Sequence, residues 1–394
     1  MDFASKSVYA EADKLKSAWM PQVQFSYQYL VTNDPLNAFG FKLQQSSIGA
    51  QDFNPELLNH PETQHHSNAQ LKLQQNLFPA EHISMHKGMV TRGDAVKWQR
   101  QRAEEKLILD VKNAYSDLQY LYEALEVSRQ AIKTFEENEK QVERFIQQGL
   151  AKKVDGMEIA IERNQVSIQM NTLQKSIENL SHYIGLLMGD STLKFYKPAG
   201  SLQFDQSELQ ISAVTTRSDI KAMDAGLLAL KHFKKANQAG RFPGLFVFGE
   251  YNLYDQDPFG FGENAYLAGI QLRWTLFDGS LRSNEIKRLK FETDKLKMEK
   301  ELLLEQTNME VNKINNERLL VIQNMENYRL DVKLSEEKRR IIKDRFDQGL
   351  EKPTDLHQAE LQLTASKLKY IEGVRDYSKL KNLLEFLLTN TNHN

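Results

Sequence analysis

The chain alternates between two spacings of apolar residues. From Ala80 onward they step by threes, fours and sevens: Leu107, Val111, Ala114, Leu118, Leu121 and Leu125, then Ile132, Phe135 and Val142. After Gly149 a second run begins, with Val166, Met170, Leu173, Ile177, Leu180, Ile184 and Leu187. Such steps keep one narrow stripe on one side of a helix, which is the seam of a coiled coil. Proline is absent from 80–197 and from 259–352. Because proline costs about 3 kcal/mol inside a helix, these tracts permit very long ones. At 1.5 Å per residue, an unbroken helix from Ala80 to Gln148 would run for roughly 100 Å.

The same arrangement returns 200 residues later, at Val311, Ile314, Val321, Met325, Val332 and Ile342, and then at Tyr370, Tyr377, Leu380, Leu384 and Leu387. Between the runs, Gln148-Gly149-Leu150-Ala151-Lys152-Lys153-Val154-Asp155 corresponds to Gln348-Gly349-Leu350-Glu351-Lys352-Pro353-Thr354-Asp355. The chain therefore reads as a duplication, 1–205 and 206–394, in which each half carries a helical hairpin with a Gly-Leu turn at its tip. Each glycine suits the left-handed residue that closes a helix, and each aspartate suits the cap or first turn of the next. Pro353 suits a helix start.

Ahead of each hairpin the spacing falls to two. Val23, Phe25, Tyr27, Tyr29 and Val31 alternate with Gln22, Gln24, Ser26 and Gln28, and Leu71, Leu73 and Leu77 alternate with Lys72, Gln74 and Asn76. In the second half, Leu245, Val247, Tyr251 and Leu253 follow Pro243, and Ile270, Leu272, Trp274 and Leu276 alternate with Gln271, Arg273 and Thr275. Four strands are expected, near 21–31, 69–78, 243–254 and 266–277. A sheet laid over a helical core would alternate in the same way. Here, however, the polar side carries glutamine, asparagine, lysine and arginine, while aromatic residues gather on the apolar side, as in strands with lipid outside and water inside. Four strands cannot close a barrel, and lipid tolerates no open edge, so several copies would share one. Of the two strand connections, 32–68 is long and holds Pro35, Pro55 and Pro61, whereas 255–264 is short and turn-rich.

Composition narrows the function. Hydrophobic residues make up 40% and charged residues 26% of the 394. No run nears the roughly 18 apolar residues of a membrane-spanning helix. With 51 basic and 53 acidic side chains the formal net charge is −2, which argues against nucleic acid as a partner. The absence of cysteine removes thiol catalysis, thiolate metal sites and disulfides together. No nucleophile, base or cofactor motif stands out, and an enzyme is not expected. His60, His65 and His66 fit a polar exposed loop better than a metal site. His82 and His86, one turn apart, lack the third ligand and the HExxH context of a zinc helix.

Strand, strand, long helix, Gly-Leu turn and returning helix, all repeated, resembles the TolC family of outer-membrane efflux proteins. The match is carried by Pro21 ahead of the first strand, Leu77-Phe78, Leu276-Phe277-Asp278-Gly279, the two Gln-Gly-Leu turns, and Arg217-Ser218-Asp219-Ile220 at the start of a helix expected over 207–239. Only 20 residues precede Pro21, so the resemblance implies that a signal peptide and the start of the first helix lie upstream. It further implies an α+β, mainly helical fold: a homotrimer whose protomers each give four strands to a barrel in the outer membrane of a Gram-negative bacterium, continued by a periplasmic helical tunnel. The implied function is a passive export duct of a tripartite efflux or type I secretion system, working with a periplasmic adaptor and an inner-membrane pump. A soluble coiled-coil scaffold, or an adaptor-like protein, is the alternative.

On this reading Gln24, Lys72, Gln74, Gln271 and Arg273 face the lumen. Phe25, Tyr27, Tyr29, Leu73, Tyr251 and Trp274 face lipid. At the tips, Gly149, Leu150, Lys152, Gly349, Leu350 and Lys352 would receive the adaptor. The family's acidic constriction maps best onto Asp355, with Asp155 and Glu158 as further candidates; helix capping is the simpler reading of Asp155. Gln358 stands where a family member would carry a second acidic residue, which weakens the expected ring.

Overall fold

The computed structural model describes residues 2–190, 192–205 and 217–388. It contains four strands, β1 (Gln22–Thr32), β2 (Gln64–Asn76), β3 (Gly244–Asp255) and β4 (Glu263–Arg273), and eight α-helices. These are α1 (Asp2–Lys14), α2 (Pro35–Gln44), α3 (Pro55–Asn59), α4 (Ala80–Gln147), α5 (Lys153–Leu187), α6 (Ser218–Ala239), α7 (Leu281–Asp347) and α8 (Pro353–Leu388). The first eleven residues of the helix expected from 207 lie mostly outside the described residues; its described part starts at Ser218. The chain forms two compact units, Met1–Trp98 with Lys221–Lys300 and Gln99–Ile220 with Glu301–Asn394, so each unit draws on both halves of the duplication.

In the first unit the strands form one antiparallel sheet in chain order, with β1 and β4 as its edges. Two expected boundaries move. β2 begins at Gln64 instead of near 69, pairing Thr32 with Gln64 and Leu30 with His66. Its opening residues Gln-His-His-Ser-Asn are polar on both faces, so alternation could not mark them. β4 starts at Glu263 and ends at Arg273, which leaves Trp274 and Leu276 beyond the ladder. The long connection is also not a plain loop: α2 and α3 each start with proline, after Asp34 and Asn54 whose side chains accept from Asn37 N–H and Glu56 N–H. Helices α1 and α6 both lean on α4 at glycines. A Cβ at Gly93 would strike Tyr9, and one at Gly88 would strike Phe233, so hydrogen at those positions is what admits the two rings.

In the second unit the coiled-coil stripes meet as expected. Ala114, Leu118 and Leu125 of α4 pack with Ile177 and Ile184 of α5. Ile314 of α7 packs with Leu384, Leu387 and Leu388 of α8. Leu107, at the start of the first stripe, is exposed, and Leu109 is buried instead. A helix of 3.6 residues per turn drifts about 20° per heptad from a 3.5-residue stripe, enough over two or three heptads to exchange neighbours. The Arg-Ser-Asp-Ile signature builds a buried polar knot. Arg217 donates to Asp219 Oδ2 at 2.6 Å and to Thr307 Oγ1 at 2.7 Å, and Ser218 donates to Glu105 Oε1. Arg102 lies 3.5 Å from the centre of the Phe386 ring.

Candidate functional site

Two places carry the residues singled out from the sequence: the faces of the sheet and the tips of the hairpins.

The strand register sorts the sheet residues without exception along the ladder. Phe25, Leu71, Tyr251 and Tyr266 form one cross-strand row, and Val23 pairs with Leu73, Tyr27 with Ala69 and Tyr29 with Ser67 on the same face. The next row is Gln24, Lys72, Glu250 and Leu267, on the opposite face, which also holds Gln74, Gln271 and Arg273. The apolar face is bare: Phe25 is 67% exposed, Ile270 71% and Tyr266 82%. An apolar surface of this extent on one side of a sheet marks contact with lipid or another protein. Trp274 is exposed just past β4, its indole N–H donating to Arg241 O at 3.0 Å.

The polar face was read only in part. Lys72 does not stand alone but meets Glu250 at 2.6 Å. Phe246 and Phe248 of β3 also lie on this face, because β3 is apolar on both sides. The Arg273 guanidinium sits 5.1 Å from the Phe246 ring and donates to Gln271 Oε1 at 3.1 Å. An unbroken Leu-Phe-Val-Phe run at 245–248 was the available signal. The histidines are occupied by packing: His65 Nδ1 is 2.7 Å from the Tyr29 hydroxyl, and His66 stacks on Phe41 at 4.0 Å. His86 stands edge-on to Trp19. Among the described residues no group of three or more metal-ligating side chains gathers.

Both tips close in the same way. Gly149 and Gly349 each have φ of 75°, a left-handed conformation that a Cβ would strain. Leu150 N–H donates to Phe145 O and Gly149 N–H to Ile146 O; Leu350 N–H donates to Arg345 O and Gly349 N–H to Phe346 O. These are Schellman closures, in which the last carbonyls of the outgoing helix find donors. Leu150 and Leu350 are left exposed, as are Lys152 and Lys352. Behind the turns Val142, Ile159, Phe346 and Leu356 form one apolar layer contributed by all four helices.

The acidic candidates separate at once. Asp155 is half-buried and its Oδ2 accepts from Lys152 N–H at 2.9 Å, so this carboxylate caps α5. Asp355 is exposed, and its carboxylate has no hydrogen bond or ion pair among the described residues. Glu158 is exposed on α5. Two residues beyond Asp355 the sequence reading missed His357. It is buried against the Phe135 ring at 4.4 Å; Nε2 lies 2.5 Å from Glu162 Oε2 of α5 but without hydrogen-bond geometry, and Nδ1 is likewise buried without a hydrogen-bond partner among the described residues. Burial pushes the His357 imidazole down to about 4; burial, and then the neighbouring Glu158, push the Glu162 carboxyl up.

Residues 212–389 match the model of the family described as outer membrane efflux protein. No curated protein matches the chain. Solved structures do. The outer-membrane protein VceC of Vibrio cholerae is 15% identical with a TM-score of 0.79, over 98% of this chain and 90% of that one. The Campylobacter jejuni outer-membrane channel CmeC is 14% identical with a TM-score of 0.80, over 98% and 81%. The open state of the Neisseria gonorrhoeae MtrE outer-membrane channel is 15% identical with a TM-score of 0.80, over 98% and 85%. Residues 212–389 thus resemble the outer membrane efflux protein family in sequence, and nearly the whole chain shares the fold of the outer-membrane proteins VceC, CmeC and MtrE.

Proposed function

We propose that the protein is a passive outer-membrane export duct. Three copies pool their strands into a twelve-stranded barrel, with the Phe25–Leu71–Tyr251–Tyr266 face toward lipid and the Gln24–Lys72–Glu250 face toward water. The observation that supports this reading most directly is the sheet itself: two open edges, one bare apolar face and one polar face. A sheet of that kind needs a closed ring to leave no unpaired backbone in lipid. A soluble scaffold would have to bury those aromatic rows against its own helices, and they are exposed.

Transport needs no reaction in this chain. Energy comes from an inner-membrane pump joined through a periplasmic adaptor, which docks at the exposed Leu150 and Leu350 beside Lys152 and Lys352. Opening is a change of packing among the helices behind the tips, and Asp355, exposed and uncommitted, is the residue placed to set the charge of the mouth. The test is the mass of the detergent-solubilised protein together with its conductance in planar bilayers. A trimer that forms ion-conducting channels is expected; a monomer stable in plain buffer refutes the duct. Crosslinks from Lys152 or Lys352 to a co-expressed adaptor are expected at the tips and nowhere else on the hairpins.

A further inference from the structure

The polar face of the sheet is not open along its whole length. At the end where the strands are connected, Gln64 and His66 of β2 and Asn252 and Tyr254 of β3 are all buried, although they point to the same side as the open Gln24 and Lys72. What covers that end is the 33–63 segment. Helix α2 lies against β2 and β4. Its Phe41 ring stacks on His66 at 4.0 Å with the planes 5° apart, and His66 in turn lies 5.4 Å from Tyr254. The Gln45 side-chain amide donates to His65 O at 2.8 Å and to Asp255 O at 3.1 Å, and lies 3.1 Å from His66 Nδ1. Ala38 is fully buried underneath. The segment is internally braced as well: Lys42 pairs with Asp52 at 2.7 Å, and Phe39 meets Phe53 edge-on. The other connection, 256–262, lies elsewhere, with Phe259 stacked on Tyr27 of the apolar face.

We infer that the 33–63 segment is a lid folded onto the polar lining of the duct, making its outer mouth a second constriction separate from the helical tips. The inference rests on the proposed reading of that face as the lumen. A connecting loop that only joined two strands could arch away into solvent, as loops generally do. This one gives an aromatic stack and a three-point amide anchor to residues that would otherwise line the channel, and both contacts can break without disturbing the ladder. Lifting α2 exposes Phe41, His66 and Tyr254, a modest apolar area, so the lid is held firmly enough to stay and loosely enough to be moved.

The sequence has no cysteine, so every introduced thiol is unique. The full chain is reconstituted in phospholipid vesicles in two single-thiol forms. In the first, a nitroxide on Phe25→Cys reports collision with lipid-dissolved oxygen; high collision is expected, and its absence overturns the lumen reading together with the lid. In the second, Asn252→Cys reacts with a charged, membrane-impermeant maleimide, with and without Phe41→Ser plus Gln45→Ala on α2. Release of α2 is expected to accelerate labelling about tenfold. Unchanged labelling with Phe25→Cys in lipid overturns the lid and leaves the duct standing. A reversible lock, Phe41→Cys with His66→Cys, is expected to lower single-channel conductance about twofold when oxidised and to restore it on reduction; a conductance indifferent to oxidation overturns the second constriction.

Discussion

The two hairpin tips share a backbone and differ in almost everything their side chains do. Both close on a glycine at φ 75° with the same pair of carbonyl bonds. At the first tip Asp155 is spent on the cap of α5, while the position equivalent to His357 is an exposed Met157. At the second, Pro353 starts the helix with its φ already fixed, Asp355 is left free, and His357 is buried against the other hairpin. Position 162 is Glu and position 362 is Gln, so the His–Glu contact exists once. Duplication preserved the geometry that any hairpin end requires and let the chemistry diverge. The first tip uses its aspartate to cap a helix, whereas the second leaves its aspartate exposed and buries a histidine.

The comparison is broken most severely at the apolar layer. Phe346 is fully buried, whereas its counterpart Ile146 is only partly so. Phe346→Ala is expected to cost about 3–5 kcal/mol and Ile146→Ala distinctly less, read as the loss of helical circular dichroism on heating. Equal losses would mean that the two hairpins carry the layer equally.

A pH titration addresses His357 next. A base held down to about 4 by burial favours the packed hairpins above its ordinary range, near 6.5, and that contribution is lost as pH falls toward 4. Glu162 is shifted the other way, so acidification relieves part of its own burial cost; the imidazole carries the larger shift and sets the sign. His357 faces Glu162 on α5, which has Glu158 as its own neighbour, and the uncharged Phe135 ring on α4, while Glu360, one turn on, is already paired with Arg339 of α7. The thermal midpoint should therefore fall between pH 6.5 and 4, and His357→Met, which copies the first tip, should flatten that slope.

Smaller effects sharpen the contrast. Gly149→Ala and Gly349→Ala should each cost about 1–2 kcal/mol, and by the same amount, because nothing lies within 4 Å of a Cβ at either site and only the backbone conformation resists. Asp155→Ala should cost about 1 kcal/mol as a lost cap. Asp355→Ala should change stability by less than about 0.5 kcal/mol yet alter the cation preference of the channel in bilayers. If Asp355→Ala leaves cation preference untouched, the acidic mouth is wrong.

Much of this was legible along the chain, for reasons that differ by element. The stripes from Val166 to Leu187 were readable because helix pairing demands a strict spacing over many turns. The sheet faces at Phe25 and Gln24 were readable because the pleat enforces a period of two. The opening of β2 was not, since Gln64 to Asn68 is polar on both faces and joins the ladder by pairing with Gln28 to Thr32 of β1, not by an alternation of its own. Asp34-Pro35 and Asn54-Pro55 did announce two helix starts, yet in a segment rich in proline they read as turns. His357 was hidden because it sits one position from the apolar stripe, and its partner Glu162 lies 195 residues away on another hairpin. Asp155 and Asp355 look alike in sequence; the bond from Lys152 N–H and the half-burial of Asp155 tell them apart.

With the polar face as the lumen wall proposed above, the Lys72–Glu250 contact has a consequence for anything carried past it. A wall that brings its own counter-ion presents a small dipole instead of a bare ammonium, so neither an anionic nor a cationic solute meets a deep electrostatic well. On that reading, cargo of either sign would move along such a surface without lingering.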